Sequence, residues 1–333
     1  MAKHDYRLVS EFTVEEKLLN YNKQLFPLHG LSSPEEYQNL ACRILKVFRK
    51  ISALSKSAAE ESVRQRIIDP FHTQTFDPAI TALWHFHQGE TEEAHWLLFL
   101  AAYLGEHPKY KWNLVRDIYS ALSNNRRWTW ERVSLNKEEF NEWLSTNQPA
   151  LRRSGGFGEI HKFPAFDYNR SIIAGKEIMS YINWVSLQGC HRTLFINATD
   201  INQGEAQRTF NYLYHSMKGH TPLNGIIIFK YLSLIANIGL IHVEPDSLYL
   251  ADALLVKKGA RLLFSGKKSQ RLTVAEIEDR IKWLVQSLDI PFGWFVLHQI
   301  LIGLAKENIG RINKNPNRNK IGRINLPFIT SNH

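Results

Sequence analysis

Two carboxylates, Glu244 and Asp246, stand two positions apart in the stretch Val243-Glu244-Pro245-Asp246-Ser247-Leu248-Tyr249-Leu250. In an extended turn that spacing sends both side chains to one face. A fixed carboxylate beside a reacting carbon stabilises positive charge that develops there. Unit charges about 4 Å apart are worth about 4 kcal/mol at an effective dielectric of about 20, enough to change a rate by orders of magnitude. The competing duty for Asp246 is structural, because it follows Pro245 where a helix N-cap is expected. Upstream, Thr221-Pro222-Leu223-Asn224-Gly225 separates a helical pattern near Ala206 to Met217 from an apolar helix starting at Ile226. In such a hairpin the free amides opening the second helix can hold a phosphate without reading sequence. Leu223, Asn224, Gly225 and, further along, Lys230 are therefore candidate DNA contacts.

A second anion candidate is Arg152-Arg153-Ser154-Gly155-Gly156-Phe157-Gly158, the glycine-rich cluster of the chain. Backbone without side chains approaches a phosphate closely, and Arg152 and Arg153 supply charge; the other reading is a flexible connector between helical lobes. His107, between Glu106 and Pro108, is a base or phosphate contact or a structural histidine. Trp112, Trp128, Trp130 and Tyr249 are candidates for the aromatic wall that an extruded base needs, and equally for core. No metal-ligand spacing surrounds His107. Cys42 and Cys190 are too few for a disulfide framework or a four-thiolate zinc or iron–sulfur site. The expectation is no metal, no cofactor and a reducing, cytoplasmic setting.

The elements that position these residues are helices. Ser33-Pro34-Glu35-Glu36 opens one, Asp77-Pro78 a second, and Thr273 with Glu276 a third, each followed by apolar residues at helical spacing. Further helical patterns cover Glu92 to Leu104, Trp112 to Leu122 and Glu138 to Leu144, and no alternating run argues a sheet. The fold expected is all-α, with an N-terminal helical region over 1–75, a core of two helical lobes over 76–305 and a basic tail over 306–333. Lys plus Arg exceed Asp plus Glu to give a net charge of +9, which favours a polyanionic partner. Met1 to Arg7 is charged with no apolar signal region behind it. The most apolar stretches, Ile226 to Ile241 and Ile290 to Ala305, carry Lys230, Asn237, His298 and Gln299 and fall short of a bilayer span. No membrane association and no obligate protein partner are expected.

The hairpin resembles that of the helix–hairpin–helix DNA glycosylases, whose second helix leads to an aspartate at about the interval between Gly225 and Asp246. Ile227 stands where that superfamily has a second hairpin glycine, and Phe229 nearest to where bifunctional members carry an imine-forming lysine, with Lys230 one place along. The endonuclease III branch's four-cysteine cluster is absent. From about Phe76 to Gly266 the chain is similar to the alpha-glutamyl/putrescinyl-thymine pyrophosphorylase clade 3 subgroup. The similarity runs through Phe76-Asp77-Pro78, Trp96-Leu97-Leu98-Phe99-Leu100-Ala101, Gly105-Glu106-His107, Trp112 to Tyr119, Trp128-Thr129-Trp130 and Val243-Glu244-Pro245 to Leu263-Phe264. The resemblance implies a glycosylase-like fold acting on modified bases in phage DNA, with relatives that serve as antiphage base-excision enzymes against glucosylated hydroxymethylcytosine. It implies a monofunctional enzyme on double-stranded DNA with Asp246, or failing it Glu244, as the catalytic carboxylate. The rivals are replacement of a pyrophosphate on a hydroxymethyluracil derivative by an amine, and DNA binding without catalysis.

Overall fold

The computed structural model describes residues 10–57, 76–123, 126–158, 175–266 and 272–313. In chain order the helices are α1 (Glu11–Gln24), α2 (Pro34–Ser57), α3 (Pro78–His87), α4 (Thr91–Leu104), α5 (Asn113–Tyr119), α6 (Trp130–Leu135), α7 (Lys137–Thr146) and α8 (Gln148–Arg153). They continue as α9 (Gly175–Ser186), α10 (His191–Ile201), α11 (Ala206–His220), α12 (Gly225–Asn237), α13 (Leu254–Ser265), α14 (Val274–Leu288) and α15 (Gly293–Asn313). The described residues contain no strand, and one isolated bridge joins His107 to Lys111. The fold is all-α.

Helix starts follow the local chemistry. Glu36 Oε2 accepts from the amides of Ser32 (2.5 Å) and Ser33 (3.3 Å), with Pro34 at the first position of α2. Asp77 caps α3 by accepting from Ala79 N (2.9 Å) and Ile80 N (3.3 Å). Thr273 and Glu276 form a capping box on α14. One expected helix is shorter: the pattern from Trp112 to Leu122 gives α5 only from Asn113 to Tyr119, beyond which Ala121, Leu122 and Ser123 have positive φ.

The helices form two groups. α1 packs on α2 and α14, α2 on α15, and α13 on α14 and α15, so helices from the first 57 residues join those from the C-terminal part. The second group surrounds α4, on which α3, α5, α6, α10 and α12 all pack; α11 lies on α10 and α12. Every residue of α4 from Ala94 to Leu104 is buried, as a helix apolar on all sides must be. α12 is nearly as enclosed, and the break in its buried run from Gly225 to Ile235 is Lys230. α15 runs on to Asn313; the rest of the basic C-terminal stretch lies outside the described residues.

One long-range contact ties the second group together. Glu92, in the first turn of α4, accepts from the amides of His191 (3.0 Å) and Arg192 (2.9 Å) at the start of α10, and its Oε2 is 2.7 Å from His191 Nδ1. On the other side of the ring, Nε2 meets Tyr181 Oη at 2.6 Å, which meets Tyr231 Oη at 2.9 Å. A carboxylate 99 residues away thus serves helix amides left free because Cys190 provides no side-chain cap. Desolvation raises the Glu92 carboxyl, but His191 and the two amides outweigh it and hold it down to about 2. A depressed carboxyl stabilises the fold above its unfolded value of 4.5 and loses that contribution as pH falls toward 2. Glu92→Ala is therefore expected to cost about 2–3 kcal/mol at pH 7. In denaturant unfolding, its difference from the unsubstituted protein should shrink between pH 4.5 and 2; a difference independent of pH would deny the carboxylate this role.

Candidate functional site

The hairpin lies where its residues place it. α11 ends at His220, Thr221 to Asn224 turn the chain, and Asn224 caps α12 by accepting from Ile226 N at 2.9 Å. Leu223 is buried. Gly225 is also buried, packed against α11 and the loop before α13: a Cβ on it would sit 2.9 Å from Asp252 Cβ and 3.2 Å from Asp252 O, and would strike the Tyr214 hydroxyl. The close approach at Gly225 is thus made by the protein's own Tyr214 and Asp252.

Asp246 is not a helix cap. α13 begins eight residues later, at Leu254, and the intervening chain is irregular because Pro245 interrupts it and Tyr249 adopts a φ of +52°. That loop is nonetheless firmly held. Glu278 of α14 accepts from Leu248 N (3.1 Å) and Leu250 N (2.7 Å), and Glu244 N donates to Ala206 O at 3.3 Å. The Tyr249 ring stacks on Tyr214 at 3.7 Å, and its hydroxyl donates to Asn211 Oδ1 at 3.3 Å. Asp252 pairs with Lys218. Glu244 and Asp246 project from this frame, both exposed. Asp246 makes no hydrogen bond among the described residues, and its charge adds to burial in raising the Tyr249 hydroxyl.

A second group of ionisable residues lies along α12 at Lys230. Its Nζ donates to Ala101 O of α4 at 3.3 Å. Burial, with the like charges of Lys50 and Lys306, brings the ammonium down to about 8 against the pull of Glu106. Glu106 accepts from Lys50 Nζ at 2.7 Å and faces Lys111 Nζ at 3.6 Å. Desolvation raises the Glu106 carboxyl, but these ammonium groups prevail and hold it below the usual carboxylate range. Burial pushes the Asp77 carboxyl up despite its two capped amides. His298, stacked on Phe229 at 4.3 Å, is driven down to about 3 by burial and by Lys230.

The remaining predicted residues are dispersed. Trp128 and Trp130 are core, 1% and 5% exposed: Trp128 O accepts from Trp96 Nε1 at 2.8 Å, and Trp130 N donates to Glu93 Oε2 at 2.7 Å. Trp112 is partly buried against the core. His107 closes its own loop, Nδ1 accepting from Lys109 N (3.2 Å) and Tyr110 N (3.1 Å). Arg152 and Arg153 are exposed at the end of α8. The glycine cluster beyond them packs on the loop carrying His107: Gly158 N donates to Leu104 O at 2.8 Å, and a Cβ on Gly158 would lie 2.8 Å from Gly105 C. Lys50 and Lys111 flank Glu106 of this loop, Gly155, two residues beyond Arg153, packs on Tyr110, and Lys50, Lys109, Lys111, Arg152 and Arg153 are all exposed. A cavity of about 250 Å³ between α9, α10 and α11, lined by Trp184, Leu194, Tyr212 and Asp200 among others, contains none of the predicted residues.

Among the described residues, no three His, Cys, Asp or Glu side chains converge to hold a metal ion, and no helix is long and apolar enough to cross a membrane. Sequence reasoning missed the Lys50–Glu106–Lys230 grouping, whose members come from three distant segments; the signal available was a lysine interrupting the apolar run of α12. Comparison with curated proteins and with solved structures gives no match. The model of the family described as alpha-glutamyl/putrescinyl thymine pyrophosphorylase clade 3 matches residues 35–310, from the second residue of α2 to near the end of α15, and so spans both helix groups, the hairpin and both ionisable clusters. The chain belongs to the alpha-glutamyl/putrescinyl thymine pyrophosphorylase clade 3 family.

Proposed function

We propose that the protein is a monofunctional DNA glycosylase that cleaves the N-glycosidic bond of a modified base in phage DNA, of the glucosylated hydroxymethylcytosine class, leaving abasic sites as an antiphage defence. The observation that carries this reading is a hairpin followed by an exposed carboxylate, Asp246, on a loop held by Glu278 and the Tyr214–Tyr249 stack. The loop beneath that carboxylate is fixed before charge develops, so its backbone need not rearrange. The base is extruded from the duplex, the carbon–nitrogen bond breaks with its electron pair leaving on the base, and positive charge builds on the deoxyribose. Asp246 stabilises that charge and orients the water whose oxygen bonds to the sugar carbon, while the water's proton passes through the carboxylate toward the departing base. The +9 charge and the exposed Lys50, Lys109, Lys111, Arg152 and Arg153 suit a duplex backbone.

The family's name favours a second reading, a pyrophosphorylase-type exchange in thymine hypermodification. Mass spectrometry after incubation with glucosylated, hydroxymethyluracil-derived and unmodified phage genomes separates the two. A glycosylase releases free base from glucosylated DNA and leaves abasic sites; an exchange enzyme supplied with an amine releases no base, frees pyrophosphate and leaves an amine-bearing base in the polymer. Bound DNA with neither product would leave only a binding module.

A further inference from the structure

Lys50 and Lys111 converge on Glu106 of the 105–111 loop, while Lys230, more deeply placed, pairs with no carboxylate among the described residues. Lys230 Nζ donates to a neutral carbonyl, Ala101 O, which also accepts from Gly105 N at 3.3 Å. Among the described residues, the charged or titratable groups that act on it are Lys50 from α2, Lys306 and His298 from α15, and Glu106 from the loop after α4. Glu106 is divided between Lys50 and Lys111, and Asp77 is engaged by the amides at the start of α3. An ammonium enclosed with only a neutral acceptor retains most of its desolvation cost, which an incoming anion would offset. The Lys50 and Lys111 side chains are 65% and 67% exposed, so the grouping opens to solvent above a buried floor.

We propose that Lys230 and Lys50 form a phosphate-binding site at this loop, with Lys230 as its floor and Lys50 as its upper contact, released from Glu106 when the anion enters. Lysine binds phosphate as a point charge from several directions, whereas a carboxylate ligand would be better met by the planar fork of an arginine. The phosphate is either a free phosphate or diphosphate, or a phosphodiester of bound DNA. The site stands whichever base chemistry the hairpin region performs.

Calorimetric titration of the full chain with orthophosphate, with diphosphate and with unmodified duplex tests it, and a competition arm identifies the source. Saturable binding of diphosphate that duplex DNA displaces marks a DNA phosphate site; binding that duplex leaves intact marks a free-anion site. Lys230→Met removes charge from an enclosed position and should fold at least as well as the unsubstituted chain. It should bind diphosphate at least tenfold more weakly, as should Lys50→Met, whereas Lys282→Met, at an exposed position on α14, should not.

A pH series adds a readout that a structural lysine would not give. Because the Lys230 ammonium is held near 8, stability without anion should rise between pH 8 and 10.5, where the unfolded chain carries the extra proton. Saturating diphosphate should flatten that rise, and its binding should weaken above pH 8. The proposal is overturned if the unsubstituted chain binds neither anion nor duplex competitively, or if Lys230→Met binds as tightly as the unsubstituted chain. Should Lys230→Met fail to fold, unchanged binding by Lys50→Met overturns it equally. None of these readouts depends on base release.

Discussion

Asp246→Asn is expected to lower base release from glucosylated phage DNA by at least about a hundredfold, roughly 3 kcal/mol of transition-state stabilisation, while thermal stability and duplex affinity stay close to those of the unsubstituted chain. The substitution keeps the size and a hydrogen-bonding oxygen and removes only the charge. Asp246 is exposed and makes no hydrogen bond among the described residues, and α13 starts eight residues beyond it, so no helix depends on it as a cap. The loop that carries it is held by others, Glu278 on Leu248 and Leu250, and Tyr214 on Tyr249. Single-turnover release with Asp246→Asn, compared with Glu244→Gln, is the decisive measurement. If Glu244→Gln alone is inactive, the role passes to Glu244; if both variants release base at the unsubstituted rate, the carboxylate assignment fails.

Capping chemistry made the strongest elements legible before any coordinates. Glu36 with Pro34, Asp77 with Pro78, and Thr273 with Glu276 all start helices where their types and spacing require, and the turn at Thr221 to Asn224 divides α11 from α12 as read. What was not legible depends on contacts between distant segments. Asp246 looked like a cap because proline and aspartate precede many helices, but Glu278, more than thirty residues on, supplies the hydrogen bonds that let the chain stay irregular through Ala253. Trp128 and Trp130 have the types of a base-stacking wall, and only the enclosure of α4 decides that they fill core. The glycines after Arg153 have the composition of a phosphate loop, yet Gly158 is required where backbone meets backbone at Gly105. Likewise, nothing in local spacing brings Lys50, Glu106 and Lys230 together. They meet because Lys50 of α2 reaches Glu106 in the loop after α4, and Lys230 of α12 reaches Ala101 O at the end of α4; a lysine inside an apolar helix was the visible trace of it.

Gly225→Ala is expected to cost about 1–3 kcal/mol of stability and to reduce base release far more than duplex affinity. The added methyl meets the Tyr214 hydroxyl and the Asp252 Cβ, 2.9 Å away, so one of them must move. Tyr214 carries the stacked ring of Tyr249, which lies three residues from Asp246, and Asp252 closes the same loop through Lys218. Displacing either shifts the frame under the carboxylate, and a misplacement of about 1 Å costs about a hundredfold in rate. Were Gly225 instead a direct phosphate contact, affinity would fall alike for all sequences and the rate on bound DNA would hold. The two outcomes separate in a paired measurement of equilibrium duplex affinity and single-turnover release. Adding Tyr214→Phe to Gly225→Ala removes the oxygen that the methyl strikes and leaves the ring to stack, so the double variant should regain a large part of both stability and release. If it regains neither, the collision with Tyr214 is not what disables the variant, and the internal role assigned to Gly225 must give way to the contact with DNA.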